Sequence, residues 1–147
     1  VFIPSEYLDL FKPHYQATLT DAQQAELLNL EAQIQMGLGA KDAAASILEK
    51  VILKDPLNGR ALLQLGQFHA AKGEGAKATV YYEDAARIEN YRVEALTLHA
   101  QVLVRDKDYA AAVKKLEEAQ RLKPRDNVGR YLDEVRKAAD FKAASES

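Results

Sequence analysis

The chain has no cysteine. That excludes disulfides, thiolate metal sites and cysteine nucleophiles together, and it suits a reducing or an oxidising compartment equally. Proline occurs four times and glycine seven, so long helices meet few interruptions. Period-two runs of strand formers are missing, and no apolar run approaches the roughly 20 residues of a membrane span. A charge excess is missing too. The net charge is -2 and the pI about 6.0, without the basic footprint of a nucleic-acid binder. A slight acidic excess precedes Arg105 and a slight basic excess follows, which reads as a solvated surface. The chain opens VFIPSEY with no initiating methionine and no signal-peptide pattern, as expected of a processed protein or a piece of a longer one.

What is present is the material of one soluble, all-helical domain. At 147 residues, 48% apolar and 29% charged, the chain can bury a real core. Its helices repeat. Shifted against itself by 34 residues, the sequence superposes Leu28, Leu62 and Leu96, then Gln33, Gln67 and Gln101, then Ala44, Ala78 and Ala112, then Glu49, Glu83 and Glu117. Ala32, Gly66 and Ala100 form a small-residue column, and Ile34, Phe68 and Val102 an apolar one. Pro56 and Pro124 align, with Asn90 between them. No gap is needed, and a chain that is merely helix-rich does not hold one register through three units.

Each unit splits into two helical patterns. In the middle one the first helix is expected over about 60–72, with Leu62, Leu65, Gly66 and His69 on one face. It stops at KGEG, where Gly73 can take a left-handed cap. The second helix is expected over about 76–88, burying Ala78, Tyr82 and Ala85. The small residues let antiparallel helices approach closely, and a lone helix pair cannot cover its own apolar face, so neighbours stack. Ahead of the array, TDAQ at Thr20 to Gln23 is a capping-box pattern. Behind it, Val128, Tyr131, Leu132 and Val135 share a helical face, whereas Arg130, Asp133, Glu134 and Lys137 stand where a partner helix would be met. That is the pattern of a terminal cap, and the last three residues, SES, are expected to fray.

These columns resemble the tetratricopeptide repeat, whose pattern is a large apolar residue, Leu-Gly and an aromatic, then Ala, an aromatic and Ala, then Pro. LLQLGQFH with Ala78, Tyr82 and Ala85 carries the match in the second unit. Leu96, Ala100, Leu103, Ala112, Leu116, Ala119 and Pro124 carry it in the third. The first departs most, with Glu31 and Gln35 at apolar places and Val51 for alanine. The resemblance spans about 102 of the 147 residues. It implies an all-α solenoid of three helix-turn-helix repeats, at 25–58, 59–92 and 93–126, closed by a capping helix in 127–147. Residues 1–24, with Tyr7, Phe11 and Tyr15 broken by Pro13, are expected to pack on the array or lead into it.

It also implies a binding surface, because in this family the first helices line a concave groove. The expected groove residues are Asn29, Gln33 and Met36, then Arg60, Leu63 and Gln67, then Thr97, Gln101 and Arg105, with Ala70, Glu94 and Val104 beside them. Gln33, Gln67 and Gln101 form an amide ladder able to meet both donors and acceptors of an extended peptide; the alternative is that glutamine is simply a good helix former in a wet groove. The family's carboxylate-clamping mode uses lysines and asparagines of the groove; Asn29, Gln33, Gln64, Glu94 and Leu98 occupy the matching places, so its lysines are missing. Arg60 and Arg105 could still favour an acidic ligand.

Other chemistry finds little support. His69 and His99 fall on packing positions and lack a third ligand at metal-binding spacing; His14 sits in the aromatic lead. The glutamate column is a surface feature, for example Glu117 pairing with Arg121, and not the two unlike acids of a catalytic cleft. There is no G-x-S-x-G, no H-E-x-x-H and no phosphate loop. The expectation is therefore a protein- or peptide-binding adaptor or scaffold, not an enzyme, with no cofactor or metal, no nucleic-acid partner and no membrane insertion, in a soluble compartment (cytoplasmic or periplasmic). The alternative is a spacer or self-association module, a homodimer formed through Tyr81, Tyr82 and Tyr91 or the N-terminal aromatics.

Overall fold

The structure, a computed structural model, describes residues 18–147. The aromatic lead, with Tyr7, Phe11, Pro13, His14 and Tyr15, lies outside the described residues. Seven α-helices follow: α1 Asp21–Gly37, α2 Lys41–Lys54, α3 Gly59–Ala71, α4 Gly75–Ala86, α5 Arg92–Arg105, α6 Tyr109–Leu122 and α7 Asp126–Glu146. A 3-10 turn, Glu89–Tyr91, precedes α5. It occupies the place where Pro56 and Pro124 end the other two units.

The starts and stops have local causes. The Thr20 hydroxyl accepts from the Gln23 N–H at 3.2 Å while the Gln23 side chain accepts from the Thr20 N–H at 3.0 Å, closing the expected capping box. Asn58 and Asp108 cap α3 and α6 by accepting from the N–H groups of Ala61 and Ala111. The turn inside each pair is one motif used three times. Gly39, Gly73 and Lys107, spaced by 34, all have positive φ (79°, 78° and 62°). After each, the next N–H reaches back to the carbonyl of Gln35, His69 or Leu103 at 2.8–2.9 Å. This is the Schellman closure, which needs a left-handed residue.

Packing follows the columns. Ala44, Ala78 and Ala112 are 1%, 0% and 0% exposed, and Leu28, Leu62 and Leu96 are 4%, 3% and 3%. Val51, Ala85 and Ala119 are buried as well. At Gly66 an added Cβ would overlap the Tyr82 ring, so glycine there is what lets α3 and α4 close on the largest fully buried side chain. Helices pack chiefly on the helix before and the helix after, with α3 also touching α5. The apolar core therefore runs as three successive clusters: under α1–α3, under α3–α5, and under α5–α7. That is a solenoid and not a closed bundle.

α7 seals the far end. Val128, Leu132 and Val135 are buried against Leu116 and Ala112, whereas Arg130, Asp133, Glu134 and Lys137 are exposed. One expectation needs correction here. Glu117 pairs with Arg136 of α7 at 3.0 Å and not with Arg121, because the cap's wet edge passes over that face of α6. α7 itself runs to Glu146. The alanines of its last turns favour helix, the Ser145 hydroxyl donates to the Phe141 carbonyl, and the Lys142 ammonium donates to the Lys107 carbonyl at 3.0 Å.

Candidate peptide-binding surface

On α1 the residues Glu26, Asn29, Gln33 and Met36 fall on one stripe, and on α3 Arg60, Gln64, Gln67 and Ala71 fall on another, by the three- and four-residue spacing of helix faces. The structure separates the expected groove residues into two sets. Gln33, Met36, Arg60, Gln67, Gln101 and Arg105 are exposed. Asn29 and Leu63 are not: they are 2% and 5% exposed. Thr97, their counterpart in the third unit, is half-buried with its hydroxyl donating to the Val93 carbonyl. The column at 29, 63 and 97 thus turns toward the neighbouring helix, and Leu63 belongs to the central core cluster.

Met36 and Gln67 meet at a pocket of about 330 Å³ between α1, α2 and α3. Its floor is apolar: Ala44, Ala45 and Leu48 from α2, and Phe68 and Ala71 from α3. Met36 closes one side with an unbranched, adaptable thioether chain. Gln64 and Gln67 supply amides, and Lys41 and Lys72 supply charge. The Lys72 ammonium lies 5.2 Å from the Phe68 ring centroid and within 4 Å of the Asp42 and Glu74 carboxylates. The wall is stiffened from behind. Phe68 meets His69 edge-on at 5.2 Å, and His69 stacks parallel to Tyr81 at 5.5 Å. The Lys77 hydrogen bond holds the Glu74 carboxyl below the usual range, with His69 and Lys72 adding to it against a smaller opposing effect of burial.

Asn29 and Arg60 belong elsewhere, to a second and polar pocket of about 220 Å³ at the other end of the same helices. Both arginines expected to favour an acidic ligand have partners within the chain. Arg60 sits 3.9 Å from Glu26, and Arg105 donates to the Ala70 carbonyl at the end of α3. His69 and His99 are buried at packing positions, and among the described residues no cluster of three His, Cys, Asp or Glu could hold a metal ion. No described helix is long and apolar enough to cross a membrane. Tyr82 is buried against Gly66, and Tyr81 and Tyr91 are half-buried against the core, so these three tyrosines form no exposed aromatic interface.

By sequence the chain matches no family, and no curated protein matches it either. By structure it does match. The N-terminal domain of stress-induced protein-1 (STI-1) from C. elegans superposes with a TM-score of 0.74 at 12% identity, over 81% of this chain and 99% of that one. The chain adopts the tetratricopeptide-repeat fold. The first tetratricopeptide domain of Spaghetti (RPAP3), bound to the HSP90 peptide SRMEEVD, gives a TM-score of 0.73 at 18% identity, over 82% and 97%. At these identities the likeness carries architecture and leaves the ligand open. Within the tetratricopeptide array, Lys41, Ala45, Leu48, Ala71 and Lys72 are the pocket residues that the repeat pattern did not single out, and Phe68 entered it only as one of an apolar column. The available signal was local: one large aromatic in a column otherwise filled by Ile34 and Val102, facing two consecutive small residues, Ala44 and Ala45.

Proposed function

We propose that this tetratricopeptide array is an adaptor or scaffold module that binds an extended segment of a partner protein along α1, α3 and α5. One apolar side chain of the ligand seats in the pocket floored by Ala44, Ala45, Leu48 and Phe68, and its backbone meets the amides of Gln67 and its counterparts Gln33 and Gln101. The observation that carries this reading is the pocket itself, an apolar floor with two glutamine amides and flanking lysines on an exposed helix stripe. Apolar lining with a few oriented polar groups is the usual build of a ligand pocket. The places matching the lysines and asparagines of the carboxylate-clamping mode hold Asn29, Gln33, Gln64, Glu94 and Leu98, with no lysine among them, which argues for an internal peptide segment and against a terminal carboxylate. Affinity on the order of micromolar is expected, since one shallow pocket offers few buried anchors.

A peptide array followed by titration of the best binder tests this. Ala71→Phe, at an exposed position, should fill the pocket and cut affinity at least about tenfold, while Gln67→Ala and Gln101→Ala weaken it to a lesser degree. Unchanged affinity in all three variants would place the binding surface elsewhere.

A further inference from the structure

The second pocket has a chemistry of its own. Its walls come from Glu26 and Asn29 of α1, Asp55 and Asn58 of the turn before α3, Arg60 of α3, and the Tyr91 ring. That ring lies against Gly59, where an added Cβ would overlap it, so the aromatic wall depends on glycine. Asn29 is 98% buried by its 2% exposure, and its Oδ1 has no hydrogen-bond partner. A buried acceptor without a donor is costly and is seldom retained without a reason. The pocket around it is rich in acceptors. Asp55 uses one carboxylate oxygen to accept from Asn58 Nδ2 at 3.1 Å, and the Asn58 oxygen is already taken by the Ala61 N–H. Two carboxylates and one guanidinium line it, and that guanidinium stands 3.9 Å from Glu26. Asn29 Oδ1 has no donor of its own, and the excess of carboxylate makes a cationic donor the one that fits.

We infer that this pocket binds the ammonium or guanidinium of a lysine or arginine side chain on the same peptide that fills the apolar pocket, with Asn29 Oδ1, Asp55 and Glu26 as acceptors. The inference rests on the groove reading above and adds the ligand's second anchor. Geometry sets the spacing. Arg60 lines the polar pocket and Gln67 the apolar one; at 1.5 Å per residue they are roughly 10 Å apart along α3. Polyproline-II backbone advances about 3.1 Å per residue and returns side chains to one side every third residue. The preferred ligand therefore carries a basic residue about three positions from a large apolar one.

The test is an array of capped heptapeptides in which one leucine and one lysine are each scanned through all positions, probed with the whole chain and with two variants. Lysine three residues from leucine should be selected, and replacing it by norleucine should weaken binding about tenfold. Glu26→Gln, an exposed change with no packing cost, and Asn29→Leu should lose the lysine preference and keep the leucine preference. Binding that selects leucine but ignores lysine, or a lysine preference that survives both variants, overturns this inference and leaves the groove reading standing. Failure to select leucine at any position overturns both.

Discussion

The α3–α4 pair and the α5–α6 pair hold the same register with different side chains, and the difference separates what the fold requires from what is free to vary. At the tightest approach one pair uses Gly66 against Tyr82, and the other uses Ala100 against Leu116. All four are buried. Neither residue matters alone; the combined size does, as close-packed interiors demand. The core face of the first helix carries Leu65 in one pair and His99 in the other. The left-handed turn residue is Gly73 in one and Lys107 in the other. The surroundings differ as well: α3 opens onto the apolar pocket, whereas α6 is closed over by α7.

Each contrast is a swap that can be made. The largest effect is expected from Gly66→Ala, which drives a methyl into the Tyr82 ring and should cost about 1–3 kcal/mol in chemical denaturation. Adding Tyr82→Leu reproduces the Ala100–Leu116 pairing and should recover most of that loss. If the double variant is no better than the single one, the size-compensation account fails. A smaller effect lies in the pH profile. Burial, then Lys115, push the His99 imidazole below its ordinary 6.5, against a smaller opposing pull from Glu83. The neutral ring is the favoured one, so its contribution is present above pH 6.5 and is lost as pH falls through the depressed value. His99→Leu, the residue its neighbour has, should flatten the acid limb of a melting-temperature curve relative to the parent. The smallest effect belongs to Lys107→Gly. Relieving one non-glycine left-handed residue should stabilise by about 1 kcal/mol; a loss of stability would mean that the freedom glycine adds to the unfolded chain outweighs the relief.

The same contrast shows why some features were legible from sequence and others were not. Buried columns such as Ala44, Ala78 and Ala112 announce themselves, because a size constraint imposed three times leaves the same residue three times. The capping box at Thr20, the left-handed Gly73 and the two-faced α7 are local, and local rules suffice for them. Asn29 and Leu63 lie deeper than an exposed stripe would place them, because helical spacing assigns a residue to a stripe, whereas the rotation of one helix against the next decides which edge of that stripe is covered. Glu117 found Arg136 and not Arg121, since counting along one helix cannot see a cation arriving from another. The pockets come from pairs of unlike neighbours, Phe68 above Ala44 and Ala45, and Tyr91 above Gly59. A translational repeat averages such departures away.

Because every rod rests chiefly on its immediate predecessor and successor, the molecule behaves as a line and not as a ball. Thirty-four residues inserted or excised as a block would leave the remaining seams as they are, so length becomes adjustable at constant cross-section. The reach of the exposed side could then be set by gene duplication alone, with no redesign of what lies beneath it.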